Sequence, residues 1–156
     1  MKKIIITIIC ITCLSTISNA QEKLEINTSK SSIKWIGEYV FSFSGHYGNI
    51  SFKEGYFIKN KDVITGGEFI IDMNSITNSD IKTQKANLSL VNHLKNPDFF
   101  DVKKHPTAKL KIKSVEYFDN NQVRVYADLT IKGITHPIKF NAELNYAKKS
   151  LVTKFK

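Results

Sequence analysis

Cysteine is nearly absent from this chain. Its 156 residues include two, Cys10 and Cys13, and both fall within the first twenty positions. The rest of the chain therefore has no disulfide, no thiolate nucleophile and no cysteine metal site, and must be held by packing alone. Arginine is almost missing too. Arg124 is one of 23 basic residues, the rest being lysine, set against 14 acidic ones. The planar guanidinium fork that favours phosphate recognition is scarce, so the net charge of +9 does not point to nucleic acid as a partner. Lysines on alternate strand positions read instead as a solvated, edge-protecting face, with at most weak contact to an anionic membrane surface. There is no glycine-rich phosphate loop and no nucleophile elbow. His46, His93, His105 and His136 have no metal-ligand spacing among themselves. No residue set supports an enzyme. After the first twenty residues no apolar run is long enough to span a bilayer.

Those twenty residues form their own unit. Lys2 and Lys3 make a basic start, Ile4 to Leu14 an apolar run, and Ser18-Asn19-Ala20 puts small residues at −3 and −1 of a cleavage site. The pattern predicts a secretory signal peptide over 1–20 and a periplasmic or otherwise exported chain from Gln21. The alternative, a lipidated Cys10 or Cys13, lacks the small residues that normally precede such a cysteine. Removing Lys2 and Lys3 lowers the net charge from +9 to +7. Residues 21–156 suit one domain with a substantial core.

The remaining sequence is mostly of period two. In QVRVYADLTIKG, Val123, Val125, Ala127, Leu129 and Ile131 alternate with polar residues. In PIKFNAELNY, Ile138, Phe140, Ala142 and Leu144 do the same. Both read as half-buried antiparallel strands, neighbours because the ITHP connection after Gly133 is short. TAKLKIKS puts Leu110 and Ile112 on one face. Val115 and Tyr117 then take the opposite parity, which predicts a bulge between Lys113 and Val115. Residues 31–60 read as two or three long strands, with Ile33 and Trp35, then Phe41 and Phe43, then Ile50 and Phe52 sharing faces. VITGGEFIIDM is another strand, with Phe69, Ile71 and Met73 on one side and a turn or bulge at Gly66-Gly67. Gly45, Gly48, Gly66 and Gly67 read as hairpin glycines. Ser79 to Asn96 breaks the alternation. Ile81, Leu88, Val91 and Leu94 form a helical stripe there, with Ser79 or Asp80 as a cap. About seven strands and one short helix result. The fold class is all-β, an antiparallel barrel or, as the alternative, a two-sheet sandwich.

Three segments taken in order resemble a known family. GGEFIIDMNSI, NHLKNPDFFDVKKHPTA and ADLTIKGITHPIKF look like the YceI family of exported lipocalin-like proteins. Gly66, Asp72, Ser75, Ile76, His93, Leu94, Phe99, Phe100, Asp101, Pro106, Leu129, Gly133 and Pro137 occupy the matching positions. The resemblance runs from Trp35 to the end of the chain. It implies a barrel of about eight strands with an apolar interior that holds a long isoprenoid chain. Family members usually continue beyond the strand that LVTKFK resembles, so a barrel incomplete at its C-terminus is expected over 21–156. The implied ligand is a polyisoprenoid or isoprenoid quinone, with no cofactor and no metal, and a homodimer is compatible with such a barrel. Candidate cavity-lining residues are Trp35, Phe41, Phe43, Phe69, Ile71, Phe99, Phe100, Leu110, Ile112, Val125, Leu129, Ile131 and Phe140. At least one of Phe99 and Phe100 is expected to turn into the barrel, with Asp98 and Asp101 capping local backbone. The alternative is a packed barrel without lipid that acts through partners.

Export should leave Gln21 as the first residue. Intact mass of the secreted protein checks this, and a retained leader or an added diacylglycerol mass would contradict it.

Overall fold

The computed structural model describes residues 21–38, 45–147 and 150–155. Residues 1–20, expected to be a signal peptide, and the Phe41–Phe43 pair lie outside these residues. Among the described residues eight strands run in chain order: β1 (Glu22–Glu25), β2 (Ile33–Glu38), β3 (Gly45–Asn60), β4 (Val63–Asp72), β5 (Thr107–Tyr117), β6 (Gln122–Ile131), β7 (Ile134–Ala147) and β8 (Ser150–Phe155). A 3-10 turn, Met73–Ser75, follows β4, and helix α1 spans Gln84–Lys95. All pairings are antiparallel, in the order β1-β3-β4-β5-β6-β7-β8, with β2 also on β3. The sheet curls into a half-barrel. Among the described residues no ladder joins β8 to β1 or β2.

β1 and β2 run one after the other along β3. Leu24 pairs with Phe57 and Ile33 with Ile50, with the chain looping out between them. β1 is the strand that alternation misses, because only Leu24 among its four residues is drawn inward.

The long strands stay amphipathic because they are bulged. In β5 the register shifts between Ile112 and Ser114, so that Val115 pairs with Val125 and stays inside. This is the slip that the sequence predicts. A second shift, between Phe52 and Glu54 in β3, keeps both Phe52 and Phe57 inside. A third, opposite Ile58 and Lys59, leaves Thr65 extra, and Ile64 just before it is buried to 2 % exposure.

The inner face carries two adjoining clusters. One gathers Phe69, Ile112, Val123, Val125, Ala127, Ala142 and Leu144, with Phe52, Phe57, Leu110, Val115, Ile138 and Phe140 against it. The other, under α1, gathers Ile50, Met73, Ile76, Leu94, Val102 and Ala108, with Trp35, Ile71, Leu90, Val91, Phe100 and Ile131.

Gly48, Gly66 and Gly67 are not hairpin glycines but lie inside strands. Gly55 sits directly across from Phe69. A Cβ on Gly55 would stand 2.5 Å from Phe69 Cδ1, and one on Gly67 3.2 Å from Phe69 Cε2. The ring uses the space that these two residues leave bare, an aromatic covering glycine. Phe57 meets it edge-on at 4.9 Å and Phe52 at 5.9 Å. Gly48 pairs with Trp35, and a Cβ there would collide with the Thr77 carbonyl oxygen and lie 2.8 Å from the indole nitrogen. That carbonyl accepts the Trp35 Nε1–H at 2.8 Å.

The β6–β7 connection is tighter than ITHP suggested. Lys132 (φ 53°) and Gly133 (φ 76°) form the turn alone, both left-handed as a two-residue type I′ hairpin requires. Ile134 to Pro137 already belong to β7, with Pro137 opposite Asp128.

Gly48→Ala forces apart a backbone carbonyl and an indole that are already bonded. It should destabilise the fold by about 3 kcal/mol, read as a lowered urea midpoint with unchanged m-value.

Candidate functional site

The candidate site is the concave face of the half-barrel. Of the expected lining residues, Phe69, Ile112 and Val125 are 4 %, 6 % and 4 % exposed and form its floor. Ile71, Leu110, Leu129, Ile131 and Phe140 are half-buried and share that face. Leu110 and Leu129 pair directly across β5 and β6, where the two clusters adjoin. Trp35 is half-buried at the other side, anchored through its ring nitrogen to Thr77. The wall therefore runs from Trp35 and Ile71 at the helix end to Phe140 and Val115, with no charged side chain among the clustered residues. A surface so composed offers apolar burial and no polar chemistry. A depression of about 370 Å³ lies elsewhere, lined by Arg124, Lys139, Phe140 and Asn141. By strand parity all of these but Phe140 point to the outer face.

The adjacent phenylalanines divide. Phe100 packs into the cluster beneath α1, whereas Phe99 is 46 % exposed at the rim. Their rings meet nearly perpendicular at 4.7 Å. The expected carboxylate caps do not form. Asp101 acts through its main chain instead: it takes φ 48°, and its carbonyl accepts the N–H groups of Lys104 and His105. Asp98 lies 3.6 Å from His93 Nδ1. Lys132 Nζ donates to the carbonyls of Pro97 (2.6 Å) and Phe99 (3.0 Å), fixing this loop to the β6–β7 turn.

Helix α1 closes one end of the wall, and a polar network holds it there. The segment after β4 continues along β3 in place of a strand. Thr77 and Ser79 donate their N–H groups to the carbonyls of Asn49 and Tyr47, each at 2.9 Å. Where a strand would offer carbonyls in return, side chains do so. Ser75 Oγ accepts from Ser51 N–H and Asp80 Oδ1 from Tyr47 N–H, both at 2.8 Å. Ser79 and Asp80 are thus not helix caps. The helix begins at Gln84 after Thr83, which makes no side-chain cap bond. Leu88 is 53 % exposed, and the buried stripe is Leu90, Val91 and Leu94. Buried Asn78 accepts from Ile81 N–H at 2.9 Å and donates to the Tyr47 carbonyl. Asn87 on the helix reaches back to Asn78 and to the Ile81 carbonyl.

His46 Nδ1 lies 2.7 Å from the second Asp80 oxygen. The hydrogen bond with His46, then that from Tyr47 N–H, outweigh desolvation and hold the Asp80 carboxyl at about 2, below its ordinary 3.8. Its folded value is the lower one, so its contribution to stability is present above about pH 4 and is lost as pH falls towards 2. Asp80→Asn should therefore lower the urea midpoint at neutral pH, and the gap to wild type should close between about pH 4 and 2. Equal gaps at both ends of that range would refute the assignment.

The molecule is thus of the curled antiparallel β class, a helix-capped half-barrel with an apolar concave face. Residues 24–156 match the model of the YceI-like domain, and the chain belongs to the YceI family. It is 34 % identical over 117 residues to a UPF0312 protein of Vibrio cholerae, covering 68 % of this chain and 62 % of the relative. A UPF0312 protein of Vibrio parahaemolyticus is 32 % identical over the same shares. The chain thus spans about 62 % of the length of these curated relatives. Two crystal structures share the fold. BcnA of Burkholderia cenocepacia has a TM-score of 0.60 at 17 % identity, over 83 % of this chain and 77 % of that one. The Campylobacter jejuni YceI protein has 0.52 at 22 %, over 80 % and 70 %.

Proposed function

We propose that this chain is an exported, non-catalytic carrier that holds an isoprenoid-type amphiphile against the concave face. The observation that supports this reading is the uninterrupted apolar wall, on which Ile71, Leu110, Leu129, Ile131 and Phe140 stay half-buried rather than sealed. Such a wall binds by removing CH₂ groups from water, each worth roughly 0.8 kcal/mol. A five-carbon prenyl unit then contributes about 4 kcal/mol before ordering costs. Several units give useful affinity without a charged anchor. The basic start, apolar run and small-residue cleavage pattern of residues 1–20 support an exported, periplasmic location. The competing reading, a packed barrel that acts through partners, draws on the burial of Phe69, Ile112 and Val125.

Native mass spectrometry of the exported protein separates the two. A carrier should emerge with a lipid adduct whose extracted mass fits a prenyl series. Phe140→Ala should reduce adduct occupancy several-fold while leaving a cooperative melt. Protein that is lipid-free, folds cooperatively and takes up no added prenyl alcohol would instead be a packed barrel.

A further inference from the structure

The helix end of the half-barrel carries a second surface, made where the loop after α1 meets the β6–β7 turn. Lys132 joins them through its bonds to the Pro97 and Phe99 carbonyls. The His105 ring lies against Gly133, its Cε1 3.5 Å from where a Cβ would stand. Two large apolar side chains project here: Phe99, 46 % exposed, and Ile134, 60 % exposed. Phe99 is held in a fixed pose, with its carbonyl tied by Lys132 and its ring against Phe100 at 4.7 Å and His93 at 6.0 Å. A rigid exposed aromatic gives up little further freedom on contact. Lys103 and Lys104 are exposed in the same loop. Lys95 and Lys132, whose ammonium groups donate to the carbonyls of Asn74, Pro97 and Phe99, keep their positive charge, so that four lysines outnumber the carboxylates of Asp98 and Asp101 here.

The exposed aromatics at the other end of the sheet are engaged. Tyr117 bonds the main chain of Ile64, and Phe118 lies under the Arg124 guanidinium at 5.4 Å. We propose that the Phe99–Ile134 end docks on an anionic lipid bilayer, with both side chains at headgroup depth and Lys103 and Lys104 facing lipid phosphates. Apolar side chains flanked by lysine, rather than by arginine forks or a groove, suit a fluid anionic interface. The surface is continuous with the concave wall, since Phe100 adjoins Phe99 and Ile131 pairs with Ile134, and both pack on the inner face. The inference goes beyond lipid holding and does not depend on it.

Vesicle flotation tests it, using protein exported from the full sequence. Vesicles of phosphatidylcholine with about one-third phosphatidylglycerol should retain the wild type, and pure phosphatidylcholine should retain it less. Added salt should weaken retention. Phe99→Ser with Ile134→Ser should cut partitioning about tenfold. Lys103→Gln with Lys104→Gln should cut it roughly fivefold per lysine. Val63→Ser, at an equally exposed site on the opposite end, should change nothing. Thermal melts confirm folding, and the lysine pair keeps the test decisive if the apolar pair does not fold. The proposal is overturned if the wild type is not retained, if either pair leaves retention unchanged, or if Val63→Ser lowers it as much. It is also overturned if the apolar pair only converts a dimer to a monomer in light scattering. A protein that keeps a prenyl adduct yet ignores vesicles sinks the docking and leaves the carrier reading intact. A lipid-free protein that floats does the reverse.

Discussion

The structure depends on a parity constraint. A strand shows alternate residues to opposite faces, so a long strand on a curled sheet must correct its phase whenever its apolar residues change parity. Three single-residue bulges, in β3 beyond Phe52, in β4 at Thr65 and in β5 beyond Ile112, make that correction. Without the first, Phe52 and Phe57 would face opposite ways. Without the last, Ile112 and Val115 would do so. The inner face exists as one surface because these shifts are distributed along it, and the same shifts bend the strands into a half-barrel.

The second constraint is polar. β4 ends at Asp72, yet β3 runs on to Gly45 with donors and acceptors that still need partners. Thr77, Ser79, Ser75 and Asp80 supply them with alternating main-chain and side-chain groups. The chain thereby leaves the sheet gradually and delivers α1 to the end of the wall. Exposed ion pairs such as Lys109 with Glu68 on the outer face add little by comparison.

Much of this was legible in the sequence where large side chains carry the pattern. β6 and β7 alternate cleanly, and the slip in β5 shows because apolar residues flank it on both sides. The shift in β3 stayed hidden because the inward position after it is Gly55, which gives no parity signal. The helix start was misplaced because Ser79 and Asp80 are good capping residues put to another use: their partners lie on β3, more than thirty residues earlier in the chain. Half of the Phe pair was assignable in principle to the interior. Which half was settled by the left-handed turn at Asp101 and by Lys132, neither of which periodicity reports.

The Lys132–Gly133 turn also bears on the order of folding. A two-residue hairpin closes fast and locally, whereas α1 is joined to the sheet by side chains and by the rim network. The lysine that shapes the hairpin is the one that later grips the Pro97 and Phe99 carbonyls, so its grip has no anchor until β6 and β7 have paired. The helical cap is thus a late and separable unit of the native state. Its attachment to the sheet, by side-chain packing and by Lys132, is separate from the strand ladders beneath it.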